Sequence, residues 1–567
     1  MTHTPTRRAV LGGLSALALT PEIALARKAG RYDTVVRGGT VFDGLGGAGI
    51  EADVGIVGGR IAAIGKLGKA RGALEIDARG AAVAPGFINV LSWSTESLIA
   101  DGRSQGDIRQ GVTLEVMGEG SSMGPLNAEM KARAVREQGA FKYPVEWTSL
   151  ADYLGYLERK GVSCNVASFI GAGTLRTHTV GYDDVRANWS QIAQMVWLVE
   201  AEMKAGALGI GSSLIYAPDN FANTEELILL AATAAAHGGS YISHIRNEGE
   251  LYLEALDELI DIGRRSGARV QMYHMKPAGR DNWDKADMGH ARMDAARKVG
   301  IDVSANVYTY TASATGLDAS MPLWVQQGGR DEWIARLKDP AIRARVIAEM
   351  RSPPVGWSNT YRNAGGAENV ILLGFQNPAL KVLTGKTLAE VAKLRGTSPE
   401  DTMVDLVIED GTRVDTAYYT MSEENLIKNL RSPWTMLGSD AASMATEGHF
   451  LLKNTHPRAY GNFARFLGRY VRDQKVLGLG EAIRRLTSLP AQQLGLRGRG
   501  RLALGYAADV VVFDPAKIED HATFAKPHQY ATGVSEVLVN GTAVLRGGEH
   551  TGAKPGRFVK GPGWRGK

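Results

Sequence analysis

Only one cysteine, Cys164, occurs in 567 residues, so a disulfide within the chain is impossible and stability must come from a packed core or from bound metal. Long apolar runs are missing as well. No segment beyond the amino terminus offers the roughly 18 consecutive apolar residues that a membrane-spanning helix needs, so no stable membrane anchor is expected. A strong excess of one charge is also absent: 65 basic residues face 60 acidic ones, for a formal net charge of +5. The charges are interspersed and no long basic run carries interleaved aromatics, which makes nucleic acid a poor partner. There is no internal repeat and no low-complexity linker. What remains, 44% hydrophobic and 22% charged residues, suits a globular chain long enough for one large barrel and a satellite domain.

The amino end reads as an address and not as part of the fold. Thr6-Arg7-Arg8 precedes an apolar run at residues 9–19, and Ala24-Leu25-Ala26 supplies a small-residue cleavage site. Residues 1–26 are therefore expected to be a twin-arginine signal peptide, with the export machinery as a passing partner and a periplasmic or secreted destination.

The centre of the chain holds its most informative stretch. Two short β-rich runs, Ser240-Tyr-Ile-Ser-His244 and Val270-Gln-Met-Tyr-His274, each end in a histidine and then turn polar. Residues 250–267 between them have leucines spaced for a helix with one buried face. This is a β-α-β unit with a histidine at the carboxyl end of each strand. In a parallel barrel that end carries the chemistry, and imidazole is a common metal ligand. Around this unit, residues 86–497 alternate short strands with amphipathic helices, whereas residues 27–85 and 498–567 are rich in glycine-separated β runs. The expected fold class is α/β: a (β/α)8 TIM-like barrel beside a small β-sandwich domain built from both chain ends. An irregular stretch at about residues 317–373 is too long for a barrel loop and is either a lid or a plain structural excursion; the basic tail from Lys554 is expected to be loosely held.

Several motifs then carry a resemblance. Pro85-Gly-Phe-Ile, Ser243-His244-Ile-Arg-Asn-Glu, His274-Met-Lys276, Tyr308-Thr-Tyr310-Thr-Ala, Gly438-Ser-Asp440 and His456-Pro-Arg458-Ala-Tyr-Gly resemble, in order, the N-acyl-D-amino-acid deacylases of the amidohydrolase superfamily. The resemblance implies hydrolysis of the amide of a small N-acyl-D-amino acid by a metal-activated water, with Asp440 carrying protons. Other readings stay open: a lactonase, a cyclic-amide or dipeptide hydrolase, or a barrel that only binds a ligand. Two departures matter. Leu91 and Trp93 stand where the family places a His-x-His pair, and Glu119, in Gly118-Glu-Gly, falls about where the family has a metal-binding cysteine after its third strand. The implied ligands are Glu119, His244, His274 and Asp440, holding one Zn2+ per chain or another divalent ion; the alternative for Glu119 is a turn cap, and Asp440 is a weak ligand or none if a coordination position must stay open. Tyr216, Lys276, Tyr308 and Arg458 match the family's clamp for the substrate carboxylate.

Overall fold

The computed structural model describes residues 31–139 and 141–566. The expected export signal lies outside them. Eight parallel strands form the barrel: Phe87–Asn89, Val112–Met117, Asn165–Ser168 (continued as Ile170–Gly171), Gly209–Ser213, Ser240–His244, Arg269–Met272, Val303–Val307 and Thr435–Leu437. The ring closes where Val90 N–H donates to Leu437 O and Asp440 N–H to Leu91 O. Every residue of Ser240–His244 is buried, as a parallel strand covered on both faces by barrel filling and helices must be. The helix Tyr252–Ser266 follows, turning Leu256, Leu259 and Ile262 inward and stopping at Gly267, whose φ of 71° supplies the left-handed cap.

The chain ends meet as expected, in one continuous nine-stranded sheet. Val510–Phe513 pairs antiparallel with Ala82–Pro85, and Arg31–Val41 joins that strand to Ile50–Val57 and Arg71–Asp77. A register shift between Val36 and Gly39 lets the long strand serve both groups. The tail corrects the sequence expectation. Val166 N–H donates to Arg557 O, Val559 N–H to Val166 O and Gly561 N–H to Gly206 O, so residues 557–561 lie along the amino-terminal side of the barrel. Phe558 is buried there.

The insertion also differs from expectation, because it reaches well past residue 373. Ser313–Gly316, Val370–Gly374 and Asp415–Tyr418 form a separate antiparallel sheet, and helices such as Pro340–Arg351 and Pro399–Asp410 pack on it around Leu317, Trp333, Val404 and Tyr418. It is a subdomain with its own core. Its Thr315, Leu373 and Arg413 form one wall of the cavity described next.

Candidate active site

The side chains singled out from the sequence leave the barrel at one end. His244 closes the fifth strand, His274 lies just beyond the sixth, Tyr308 follows the seventh, and Asp440 follows the eighth. Glu119 leaves the second strand, not the third: residues 95–100 and 105–108, between the first two barrel strands, are helical. All line one cavity of about 740 Å³ at the carboxyl ends of the strands, the place where barrel chemistry is built.

Glu119, His244 and His274 converge on its floor, each buried, with one ligand atom apiece inside a 4.8 Å span. Glu119 Oε1 stands 3.2 Å from His244 Nδ1 and 3.1 Å from His274 Nε2. Donors about 2.0–2.2 Å from a tetrahedral Zn2+ stand roughly 3.4 Å apart, so the spacing and the mix of two nitrogens and a carboxylate fit a divalent ion. The flanking glycines make the turn. Gly118 has φ of 104° and a Cβ there would meet Phe169 O at 2.3 Å, while a Cβ on Gly120, with φ of 67°, would meet Ser213 Cβ at 2.4 Å.

Electrostatics favours the ionised carboxylate. Burial alone would raise the Glu119 carboxyl, but hydrogen bonding and charge from His244 and His274 outweigh it and hold it at about 2. Burial and the Lys276 charge would lower the His274 imidazole, yet Glu248 and Glu119 on either side raise it to about 9.

Glu248 was missed from sequence, although it closes the quoted His244-Ile-Arg-Asn-Glu motif. Its Oε1 accepts from Lys276 Nζ at 2.6 Å and lies 3.2 Å from His274 Nδ1, and its Oε2 is 3.5 Å from His244 Nε2. It backs both imidazoles at once. Burial opposes its charge, but the Lys276 ammonium and the two histidines hold the carboxyl well below the usual range. Lys276, expected in a substrate clamp, lines the cavity with its ammonium paired to Glu248. Its ammonium also donates to His274 O at 3.2 Å and lies 2.9 Å from His274 Nδ1, so it is turned toward Glu248 and the His274 segment.

Asp440, a weak ligand or none on the sequence reading, lies outside the three-residue cluster, with Oδ1 accepting from Trp93 Nε1 at 3.0 Å and Oδ2 paired with Arg458 Nη1 at 2.8 Å. Its backbone, at φ of 50°, is in the left-handed region that a non-glycine residue rarely adopts, a strain that concentrates at working sites. Arg458 lies over the Tyr308 ring, 4.4 Å from its centroid. Arg458 Nε and Tyr308 Oη are buried and make no aligned hydrogen bond among the described residues, whereas Nη1 is taken by Asp440. Burial pushes the Tyr308 phenol well up, so it remains a donor. These unspent donors suit a carboxylate. Tyr216 sits on the opposite wall, its hydroxyl 2.6 Å from Thr315 Oγ1 and its ring 5.6 Å from His244.

His456 was quoted in the sequence without a role. Its Nδ1 accepts from the backbone N–H of Arg458 at 3.0 Å and its Nε2 donates to Ala312 O at 2.9 Å. Burial, helped by the Arg458 charge, keeps the ring neutral and fixes the start of the helix Arg458–Arg465 that presents the guanidinium.

Residues 222–545 match the amidohydrolase family. The chain is 32% identical over 534 residues to an N-acyl-D-glutamate deacylase of Alcaligenes xylosoxydans xylosoxydans, covering 94% of this chain and 97% of that one. A D-aminoacylase of the same organism is 33% identical over 532 residues, with 93% and 97% covered. Among solved structures, the N-acyl-D-glutamate deacylase of Bordetella bronchiseptica, complexed with zinc and a phosphonate mimic of the tetrahedral intermediate, superposes with a TM-score of 0.78 at 28% identity over 94% of this chain and all of that one. A D-aminoacylase whose binuclear metal centre shows one-metal activation and second-metal attenuation gives 0.77 at 31% identity, over 93% of this chain and all of that one. Hence the chain belongs to the N-acyl-D-amino-acid deacylases, within the amidohydrolase family.

Proposed function

We propose that this protein is a metal-dependent hydrolase that cleaves the amide of N-acyl-D-amino acids and works with one zinc ion per chain. The observation that carries the reading is the convergence of Glu119, His244 and His274 beside the unspent donors of Arg458 and Tyr308 in one cavity. A divalent ion held by the three ligands supplies Lewis-acid polarisation of the acyl carbonyl and acidifies water. The chain's own groups do the rest. Arg458 and Tyr308 hold the substrate's α-carboxylate, the guanidinium by a charge-assisted contact. Asp440 takes a proton from the attacking water and returns it to the leaving amine. Glu248, held by Lys276, would accept from His274 Nδ1–H and so leave Nε2 free for an ion. Tyr216, which matches the family's carboxylate clamp, lines the same cavity with its hydroxyl engaged by Thr315.

One ion per chain is supported by the exit of the first strand. Leu91 is buried and offers no donor lone pair, and the Trp93 indole can only donate. The export reading rests on Arg7 and Arg8 with the apolar run after them, and fractionation of cells expressing the full chain tests it against a form with both arginines replaced by lysine. Catalysis is tested by amine release from matched N-acyl-D- and N-acyl-L-amino acids by the metal-loaded protein. Release from the D series is expected; release from the L series alone would overturn the stereochemical reading, and release from neither would leave the lactonase or binding-only alternatives.

A further inference from the structure

The segment leaving the first barrel strand runs beside the segment leaving the eighth. Asp440 N–H donates to Leu91 O at 2.9 Å and Trp93 N–H donates to Ala441 O at 3.0 Å, and Ser92 and Ala441 form an isolated parallel bridge. These backbone bonds set Trp93 opposite Asp440. The indole N–H then reaches Asp440 Oδ1 at 3.0 Å, while Arg458 occupies the side of Oδ2. Both carboxylate oxygens are therefore held from opposite sides, and a two-fold torsion that is otherwise broad is pinned. The anchor is rigid. Indole has one donor and no acceptor, so it cannot compete for the proton that Asp440 carries. Trp93 also lines the cavity and is 37% exposed, so its ring faces the space where substrate binds.

We infer that Trp93 is a positioning residue for the hydrolytic reaction: its indole N–H holds Asp440 in the orientation from which the carboxylate relays protons, a task that in this chain falls to a side chain and not to a second metal ion. The inference rests on the reading of Asp440 as proton carrier. Asp107 and Glu115, both buried, do not take this part; Asp107 accepts from Asn89 and Glu115 from Ser92, and neither lines the cavity.

The test replaces Trp93 in the full, metal-loaded protein by phenylalanine and, separately, by benzothienylalanine, which keeps the bicyclic shape and lacks the N–H. Asp440→Asn is measured alongside. Loss of a hydrogen bond to a charged group predicts a fall in kcat of about tenfold to a hundredfold for both replacements, with KM for an N-acyl-D-amino acid within about threefold and metal content unchanged. A benzothienylalanine protein with wild-type kcat overturns the inference. So does a fall in which KM rises and kcat holds, since that marks the ring as a wall alone. Should Asp440→Asn retain full activity, the proton-carrier reading fails first, and the two failures are thereby distinguished. Uptake of a second tightly held ion by the wild type would also overturn it, because Asp440 would then be held by metal.

Discussion

Loading the site with metal should expel a proton, and the size of the effect follows from His274. In the metal-free protein the carboxylates of Glu119 and Glu248 raise this imidazole to about 9, while Glu119 itself, at about 2, is ionised throughout the working range. At pH 7 His274 is therefore mostly protonated, so zinc must displace that proton and apparent metal affinity is weaker than at pH well above 9. Apparent affinity should therefore rise about tenfold per pH unit between pH 6 and 9 and then level off. Calorimetric titration of metal-free protein with zinc, in two buffers of different ionisation heat at pH 7.5, should give close to one proton released per ion. The sign for stability runs the same way. A folded-state pKa raised above the ordinary value of about 6.5 stabilises fully below that value and loses its contribution as pH climbs through about 9. The metal-free protein should thus lose thermal stability across that window, and the loaded protein should not. No proton release, or an affinity flat in pH from 6 to 9, would refute the electrostatic reasoning about His274.

Other outcomes follow from the same geometry. Glu119→Ala should lose both bound metal and activity, by elemental analysis and amine release, and full occupancy would return Glu119 to capping its turn. Asp440→Asn should lose activity while keeping most of its metal, because the carboxylate sits outside the ligand cluster. Glu248→Gln should weaken metal affinity by about 10–100-fold, since it removes the charge behind both histidines, measured by competition with a chelator. Arg458→Met should lower kcat/KM by about 2 kcal/mol, and an esterified substrate should impair the wild type far more than this variant. Equal sensitivity to the ester would remove Arg458 from the clamp.

What could be read from sequence was whatever local pattern marks directly. His244 and His274 each end a β-rich run, and the glycines around Glu119 announce a turn that no Cβ could make. Contacts between distant segments left no such mark. Trp93 and Asp440 are 347 residues apart, so the sequence shows that a histidine is missing without showing what its replacement touches. The engagement of Lys276 by Glu248 depends on how two loop side chains fold back over one imidazole, and a cation next to a ligand motif looks the same whether it meets substrate or carboxylate. In the helix Tyr252–Ser266 leucine alone does not mark the buried face: Leu251 is 43% exposed, and Tyr252 and Ala255 join Leu256 and Leu259 inside. The insertion was underestimated because its third strand, Asp415–Tyr418, returns about forty residues after Val370–Gly374 and pairs antiparallel with it.

A zinc titration of metal-free protein, followed by amine release from an N-acyl-D-amino acid and by bound metal in the same samples, tests the central claim most directly. One functional site per chain predicts activity rising linearly to one equivalent and breaking there, with no further rise at two. A break at two equivalents, or activity that ignores the metal, would contradict it.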